Sequence, residues 1–261
     1  MSKKRLIHIS LAVVFILLIL FVWQIAQDYH NEKRLQANLT SLEFFIPSPR
    51  SFFTAFRNNW DVIQIAMFAT LQKSFFGFFI GATLAICVVS LYFMLPWLRS
   101  ATLPMAYAIN SVPVVGFAPI IVLAFGQGSF STIAFLAAMV SYFPIVITLD
   151  SSIHNIDRKY VELLKVYNAN SVQMLKYVYI PLTLPNFFIA IKLAIPASLI
   201  GAVIGEWMGS RTGIGNLMMI CMYQLKPGLL YACLFQIAIV SSVIVLTLGI
   251  IKNKVLPWTK T

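Results

Sequence analysis

Side chains that could do chemistry are sparse in this sequence, and they form no known catalytic pattern. His8, His30 and His154 stand alone, without the HExxH spacing that places two histidines on one helix face around zinc. The glycine-rich run at 209–215 lacks the lysine and the hydroxyl residue that complete a phosphate-binding loop. We therefore expect no catalytic residue, no metal, no cofactor and no ATP hydrolysis by this chain alone.

Three charged residues, Lys73, Lys192 and Glu206, fall within or at the edges of long apolar segments. A charge inside a bilayer is costly, so such residues usually face a protein interior or reach to the membrane surface. Lys73 lies in the middle of its segment and Lys192 lies near the polar end of its own. Glu206 lies at an outer end, where water could solvate it. We treat all three as candidates for lining a solute pathway.

The elements that must carry these residues are membrane-spanning helices. Sixty per cent of the residues are apolar and 10% are charged, whereas soluble domains average about 25% charged residues. Apolar runs of roughly 20 residues are long enough to cross a bilayer as helices. We predict an all-α, polytopic membrane protein with six transmembrane helices, at about 6–26, 62–89, 101–125, 132–149, 186–205 and 229–251.

The chain divides into two predicted parts. Residues 1–60 form an anchor helix and an external polar segment, and residues 61–261 form the core transmembrane domain. The first apolar run is too long for a signal peptide and lacks a small-x-small cleavage site, so we expect it to be retained. The net charge of +11 does not indicate nucleic-acid binding, because the basic residues lie in short segments beside apolar runs.

The distribution of basic residues predicts the orientation in the membrane. With the N-terminus inside, eleven lysines and arginines lie in cytoplasmic segments and six lie outside, which favours cytoplasmic placement of both termini. The inside residues are Lys3, Lys4, Arg5, Arg99, Arg158, Lys159, Lys165, Lys176, Lys252, Lys254 and Lys260; the outside residues are Lys33, Arg34, Arg50, Arg57, Arg211 and Lys226. The polar segment at 155–185 then also lies in the cytoplasm.

Small residues recur every four positions in two of the predicted spans. One series contains Gly77, Gly81 and Ala85, and another contains Gly201 and Gly205. Such faces let helix backbones approach closely where lipid offers no hydrophobic driving force. We expect the second series to pack between two copies of the chain.

Prolines interrupt the predicted spans at Pro113, Pro119 and Pro144. Each one removes a backbone hydrogen bond inside the membrane. Broken helices are tolerated there when they are buried in protein or line a cavity. We interpret these prolines as lining a pathway, with simple packing kinks as the alternative.

The polar segment at 155–185 has the pattern of short surface helices. Leu164, Val172 and Leu175 could form an apolar stripe that docks in a groove of a partner. Pro181 and Pro185 should set the turn into the following span. The alternative interpretation is an amphipathic interfacial helix without a protein partner.

The stretch from Glu162 to Pro185 resembles the cytoplasmic coupling loop, or EAA loop, of bacterial ABC-importer permeases. Glu162 stands at the Glu position of that pattern, and Ile180 and Pro181 belong to its ending. Leu163 and Leu164 replace its two small residues, and Asn168 replaces its glycine; asparagine is the next-best residue for a left-handed turn. The resemblance implies ATPase coupling through Glu162, Leu163, Leu164, Asn168, Ala169, Val172, Ile180 and Pro181, with Glu162 anchoring or capping the short helix.

The resemblance extends over most of 45–251. The segments 45–50, 110–131 and 205–218 are similar to the entry, central-helix and post-helix motifs of the nitrate, sulfonate and taurine permeases, a subgroup that includes pyrimidine-precursor and riboflavin importers. It implies type I ABC-importer permease architecture in a bacterial inner membrane. It also implies two cytoplasmic ATPase subunits, a second permease chain in a homodimer, and an external binding protein or lipoprotein.

Two other function classes remain open from the sequence. A membrane scaffold or receptor could use the 155–185 segment to dock a partner that is not an ATPase. A secondary transporter would need inverted repeats and paired acidic residues in the spans, which are not evident in this sequence. The importer subunit is the function that we expect, with a small organic solute as its cargo.

Overall fold

Apolar runs with few helix breakers give this chain a helical backbone. The computed structural model describes residues 18, 21–29 and 47–257, and no β-strand occurs in those ranges. The predicted first span at 6–26 lies mostly outside the described residues. The helices are α1 (Pro49–Asn58), α2 (Trp60–Met94), α3 (Pro96–Ser111), α4 (Val114–Phe125), α5 (Phe130–His154), α6 (Arg158–Val166), α7 (Ser171–Met174), α8 (Ile180–Trp207), α9 (Ile214–Tyr223) and α10 (Pro227–Val255), with a π-helical turn at Leu175–Tyr179 between α7 and α8.

Four helical stretches of the described chain are long and apolar enough to cross a membrane, and a bent pair of helices raises the number to as many as five. The four are Trp60–Tyr92, Phe130–His154, Val172–Trp207 and Pro227–Val255. They include the predicted second, fourth, fifth and sixth spans. The all-α, polytopic class is thereby confirmed.

The predicted third span is a broken one. Its two halves, α3 and α4, meet at an angle of 99°. Val112 is extended (φ −84°, ψ 128°) and Pro113 precedes the first residue of α4. A proline disfavours helical dihedrals in the residue before it and has no N–H to continue the ladder, so the chain turns there. Pro104 and Pro119, by contrast, lie inside α3 and α4.

The expected turn at Pro181 and Pro185 was wrong. The helix runs without a break from Val172 to Trp207, and both prolines lie within it. Its register changes through the π-helical turn at Leu175–Tyr179, which ends two residues before Pro181. Such a turn widens the hydrogen-bond spacing to i→i+5, and it occurs where a helix absorbs a local irregularity.

The chain forms two compact units, residues 66–216 with 237–261 and residues 1–65 with 217–236. The second unit holds an aromatic cluster in which the Phe52 ring centroid lies 5.8 Å from that of Trp23 and 5.3 Å from that of Phe235. In the first unit, α5 is the central helix. Its contacts position the charged residues of this unit.

Glycines bring α2 and α8 against α5. A Cβ on Gly77 would lie 2.5 Å from the Ala137 Cβ, and a Cβ on Gly201 would lie 2.8 Å from the Ala137 Cα. A Cβ on Gly205 would meet the Ile133 Cα at 3.0 Å. Both small-residue series therefore serve close helix packing, as predicted. The expectation that Gly201 and Gly205 pack between two chains was wrong, because their face is occupied by α5 of the same chain.

Candidate coupling surface and buried charge cluster

The short helix α6 begins in a different way from the one expected. Asp157 is its N-cap, and its carboxylate accepts a hydrogen bond from the Lys159 backbone N–H at 3.0 Å. Glu162 lies in the middle of the helix, exposed, and its side chain has no hydrogen bond to another described residue. The proposed capping role of Glu162 was therefore wrong, since an N-cap must precede the first helical N–H groups.

The left-handed turn at Asn168 is confirmed. Its φ is 51°, and the Ala169 N–H donates to the Leu164 carbonyl at 3.1 Å. The sequence reasoning missed a second feature, a reciprocal cap at the start of α7. The Asn170 backbone N–H donates to Gln173 Oε1, and the Gln173 backbone N–H donates to Asn170 Oδ1, both at 2.8 Å. Asn-x-x-Gln has the chemistry of a capping box, so this signal was readable. Together these bonds fix the path from α6 into α7.

The loop exposes an apolar surface. The exposed fractions are 58% for Leu163, 80% for Val166, 76% for Tyr167 and 72% for Val172. We call these four residues and Tyr160, which is 51% exposed, the coupling surface. Of the predicted residues, Leu164 and Ala169 are half-buried, while Glu162, Asn168, Ile180 and Pro181 are exposed. The sequence reasoning named Leu163 and Val172 but missed Tyr160, Val166 and Tyr167.

Glu206 and Lys73 form a buried ion pair. Lys73 Nζ lies 2.9 Å from Glu206 Oε1, and the two side chains are 8% and 0% exposed. The Thr70 hydroxyl lies 2.9 Å from each carboxylate oxygen, and the Gly215 N–H donates to Oε2 at 2.8 Å. The suggestion that water solvates Glu206 was wrong. The glycine-rich run folds back over the helix end and supplies protein donors where water was expected.

The remaining protons of Lys73 also find acceptors. Its ammonium donates to the Thr212 carbonyl at 2.7 Å and to the Ser210 hydroxyl at 3.3 Å. Charges taken out of water are tolerated only when such additional bonds complete the pairing. Gly213 has a φ of 113°, and a Cβ there would collide with the Glu206 carboxylate. The run at 209–215 thus encloses a carboxylate and holds the loop after α8 onto α2.

A second ion pair joins α3 to α5. Arg99 Nε lies 2.6 Å from Asp150 Oδ1, and Nη2 lies 3.0 Å from Oδ2. His154 Nδ1 lies 2.9 Å from the Asp150 carbonyl oxygen. Asp150 was missed because it follows the predicted span at 132–149. The sequence did contain a signal for this ion pair: an acidic residue follows the end of one predicted span, and an arginine precedes the start of the neighbouring span.

The other predicted pathway residues are dispersed. Pro144 lies inside α5, and Lys192 is half-buried in α8 without an ion pair to the described residues. Pro113 lines a cavity of 550 Å³ at the bend between α3 and α4. Its other walls include Asn110, Phe135 and Tyr142. Of the candidate prolines, Pro113 is thus at a site that could admit a solute.

Comparison with known proteins decides the family. Residues 76–261 match the family described as the binding-protein-dependent transport system inner membrane component. This chain belongs to that family. The chain is thus an inner-membrane transport component, and its family implies an ATPase partner and a substrate-binding protein.

Several relatives of this inner-membrane component match most of its length. The formylaminopyrimidine transport permease protein ThiX of Halalkalibacterium halodurans is 26% identical over 251 residues, covering 95% of each chain. The riboflavin transport system permease protein RibX of Chloroflexus aurantiacus is 28% identical, with 82% of this chain and 81% of that protein covered. Sulfonate and nitrate import permeases match as well. The predicted subgroup is confirmed.

The fold of this inner-membrane component also matches a solved transporter. A chain of an amino acid ABC transporter has a TM-score of 0.61 and 16% identity, covering 77% of this chain and 95% of that one. At that identity the likeness concerns the fold alone. It agrees with the all-α, polytopic architecture.

Proposed function

We propose that this chain forms the translocation pathway of an ATP-driven importer and receives the energy of ATP hydrolysis through its coupling surface. The observation that carries the proposal is the exposed apolar face of the α6–α7 segment, placed directly between the long helices α5 and α8. An apolar stripe with polar flanks is the form in which a helix docks in a groove of a partner. The ATPase is a separate cytoplasmic protein in this proposal.

The contacts of the segment supply a route for the coupling. α5 leads into α6 and α7 leads into α8, and these two long helices pack closely at Gly201 and Gly205. The ion pair of Arg99 and Asp150 ties the end of α5 to the bent pair α3–α4. Approach of two ATPase subunits would move two such assemblies and bias the pathway from inward-open to outward-open, a population shift between two states.

The cavity at the helix bend favours a particular class of solute. Its 550 Å³ are bordered mainly by aliphatic side chains, together with the rings of Phe135, Tyr142 and Phe143 and the amide of Asn110, and no charged residue is among its described lining residues. An uncharged, mainly apolar wall with a few aromatic rings and polar groups suits a flat heterocycle better than a small inorganic anion. We propose a heterocyclic solute, of the kind that the names of ThiX and RibX record for those proteins.

The partners follow from the same assignment. Two copies of this chain, two ATPase subunits and an external binding protein or lipoprotein would form the working complex. The face of α10 with Val243, Leu246 and Ile250, all at least half exposed, is available to lipid or to the second copy. Both termini lie in the cytoplasm in this arrangement, which places the coupling loop on the ATPase side.

The proposal is tested by charging the coupling surface. Val166→Glu with Tyr167→Glu should abolish co-purification of the ATPase, because two carboxylates would enter an apolar groove. Leu163→Glu with Val172→Glu should weaken it as well, because both side chains belong to the same exposed apolar surface. Lys254→Glu, which is exposed in the last turn of α10 and does not belong to the α6–α7 segment, is the control.

The control should retain the ATPase, and all variants should insert in the membrane. Normal ATPase recovery with both double variants would contradict the importer assignment. Loss of some other cytoplasmic protein, with the ATPase unaffected, would support the scaffold or receptor instead.

A further inference from the structure

A charged cavity lies behind the coupling surface. It has a volume of about 590 Å³ and is bordered by the ends of α2, α3 and α5 and by α6. The α6 residues that line it are Arg158, Val161, Glu162 and Lys165. Their spacing of i, i+3, i+4 and i+7 places them on one helix face. Tyr160, Leu163 and Tyr167 of the coupling surface occupy the opposite face.

Cations with unused donors surround this cavity. Arg99 engages Asp150 through Nε and Nη2, and a guanidinium carries five N–H donors, so donors remain for a ligand. Arg158 and Lys165 have no side-chain hydrogen bond or ion pair among the described residues. Two carboxylates line the cavity, and Asp150 is already paired with Arg99. Glu162 is therefore the one lining carboxylate without an ion pair among the described residues. The charges favour an anionic ligand.

The charged cavity continues into an apolar one. A second cavity of 240 Å³ shares Val89, Ile153 and Tyr179 with it, and its other walls are mainly aliphatic and aromatic. A third, of 560 Å³, shares Ile86 and Phe187 with the second and follows the groove between α2 and α8. The three cavities thus lie side by side along a path that changes from charged to apolar along the spans.

We propose that this path binds one anionic phospholipid, with its phosphate in the charged cavity and an acyl chain in the apolar groove. Arginine matches phosphate geometry through its planar donors, and lysine adds a point charge. Basic pockets between spans at the cytoplasmic surface are suited to anionic headgroups. The inference depends on the proposed cytoplasmic position of α6.

The lipid would act on the coupling surface from behind. Its phosphate contacts Arg158 and Lys165 on the inner face of α6 and Arg99 on α3, so it bridges the short helix to the bundle. Within the described chain, α6 has no other ion pair to the bundle. Bound lipid therefore steadies the outer face that meets the ATPase. A free phosphate ion would fill the charged cavity alone and leave the apolar groove unused.

The test measures lipid bound to the detergent-solubilised permease dimer by native mass spectrometry. Phosphatidylglycerol should bind more tightly than phosphatidylcholine with the same acyl chains. Arg158→Gln and Lys165→Gln should each weaken phosphatidylglycerol binding about fivefold, from the attraction expected per basic residue. Lys159→Gln removes the same charge from the same helix but does not line the cavity, and it should leave binding unchanged. Leu184→Trp, which fills the apolar cavity, should weaken the binding of both lipids.

Three results would overturn the proposal. Equal binding of the two lipids would show that the charged cavity does not select an anionic headgroup. Displacement of phosphatidylglycerol by millimolar inorganic phosphate would identify a site for a soluble anion. Binding by a monomeric fraction but not by the dimer would show that a second copy covers the groove. None of these readouts involves the ATPase or transport, so the lipid site and the importer function fail separately.

Discussion

At the scale of single residues, the pairing of Lys73 with Glu206 governs how the C-terminal end of α8 is built. A buried ion pair is weak evidence of net stabilisation, but removing one partner leaves the other charge uncompensated, which costs about 3–5 kcal/mol. The acceptors of Lys73 are the Glu206 carboxylate, the Ser210 hydroxyl and the Thr212 carbonyl. The loop after α8 therefore depends on this lysine.

The first prediction concerns that lysine. Lys73→Met should lower the melting temperature of the purified protein strongly, because Glu206 would remain buried without its cation. Adding Glu206→Gln to it should recover part of the loss. Lys192→Met is the matched control, since that lysine is half-buried in a span without a described ion pair. Equal melting temperatures for Lys73→Met and Lys192→Met would refute the account of the pair.

The residue types were readable from the sequence, but their partners were not. Lys73 and Glu206 stood out as charges in apolar surroundings, yet 133 positions separate them along the chain. Their pairing depends on how α2 and α8 are placed by α5, which no local pattern encodes. The turn at Asn168 could be predicted because a left-handed backbone conformation depends mainly on the residue type at that position. Glu162 does not cap α6, because it lies in the middle of the helix and Asp157 precedes the first helical N–H groups.

At the scale of elements, hydrophobic length predicted three spans within a few residues of their observed ends, whereas the fifth, expected at 186–205, extends from Val172 to Trp207. The bend between α3 and α4 and the continuity through Pro181 and Pro185 show the limits of proline as a signal. At Pro113, the preceding residue Val112 adopts an extended backbone conformation and the helix ends. At Pro181, the preceding π-helical turn leads directly into α8 and the helix continues. Which outcome occurs depends on tertiary packing around the proline.

The second prediction concerns the contact of α8 with α5. Gly201→Ala should destabilise the single chain, because the new Cβ would lie 2.7 Å from the Leu136 carbonyl oxygen. Gly201→Leu should prevent folding. Gly116→Ala is the control, since its Cβ would lie 3.8 Å from the nearest atom, a Val112 methyl carbon. The measurement is thermal unfolding of the detergent-solubilised chain. A Gly201→Leu variant that folds normally as a monomer and fails only to dimerise would contradict this account. It would show that the Gly201 face packs between two chains.

At the scale of the whole molecule, orientation is the first requirement of the proposed function. The coupling loop can meet an ATPase only if it lies in the cytoplasm. The excess of basic residues in the segments assigned to that side supports this placement. The lipid-binding proposal depends on the same orientation.

The third prediction tests that orientation. A reporter active only in the cytoplasm should work when fused after Thr261. A reporter active only outside should work when inserted near Gln36. A second cytoplasmic reporter within the loop at 155–185 provides an internal check. The reverse pattern would contradict the charge argument and remove the coupling loop from the ATPase side.

ATP-dependent uptake in proteoliposomes tests the central claim most directly. The vesicles would contain this chain and its ATPase, with the binding protein and a heterocyclic solute added outside. We predict uptake that requires ATP and all three proteins, and that is lost with Val166→Glu and Tyr167→Glu while Lys254→Glu retains it. Uptake by this chain alone, driven by an ion gradient and unchanged by the coupling-surface variant, would contradict the claim that it is the pathway subunit of an ATP-driven importer.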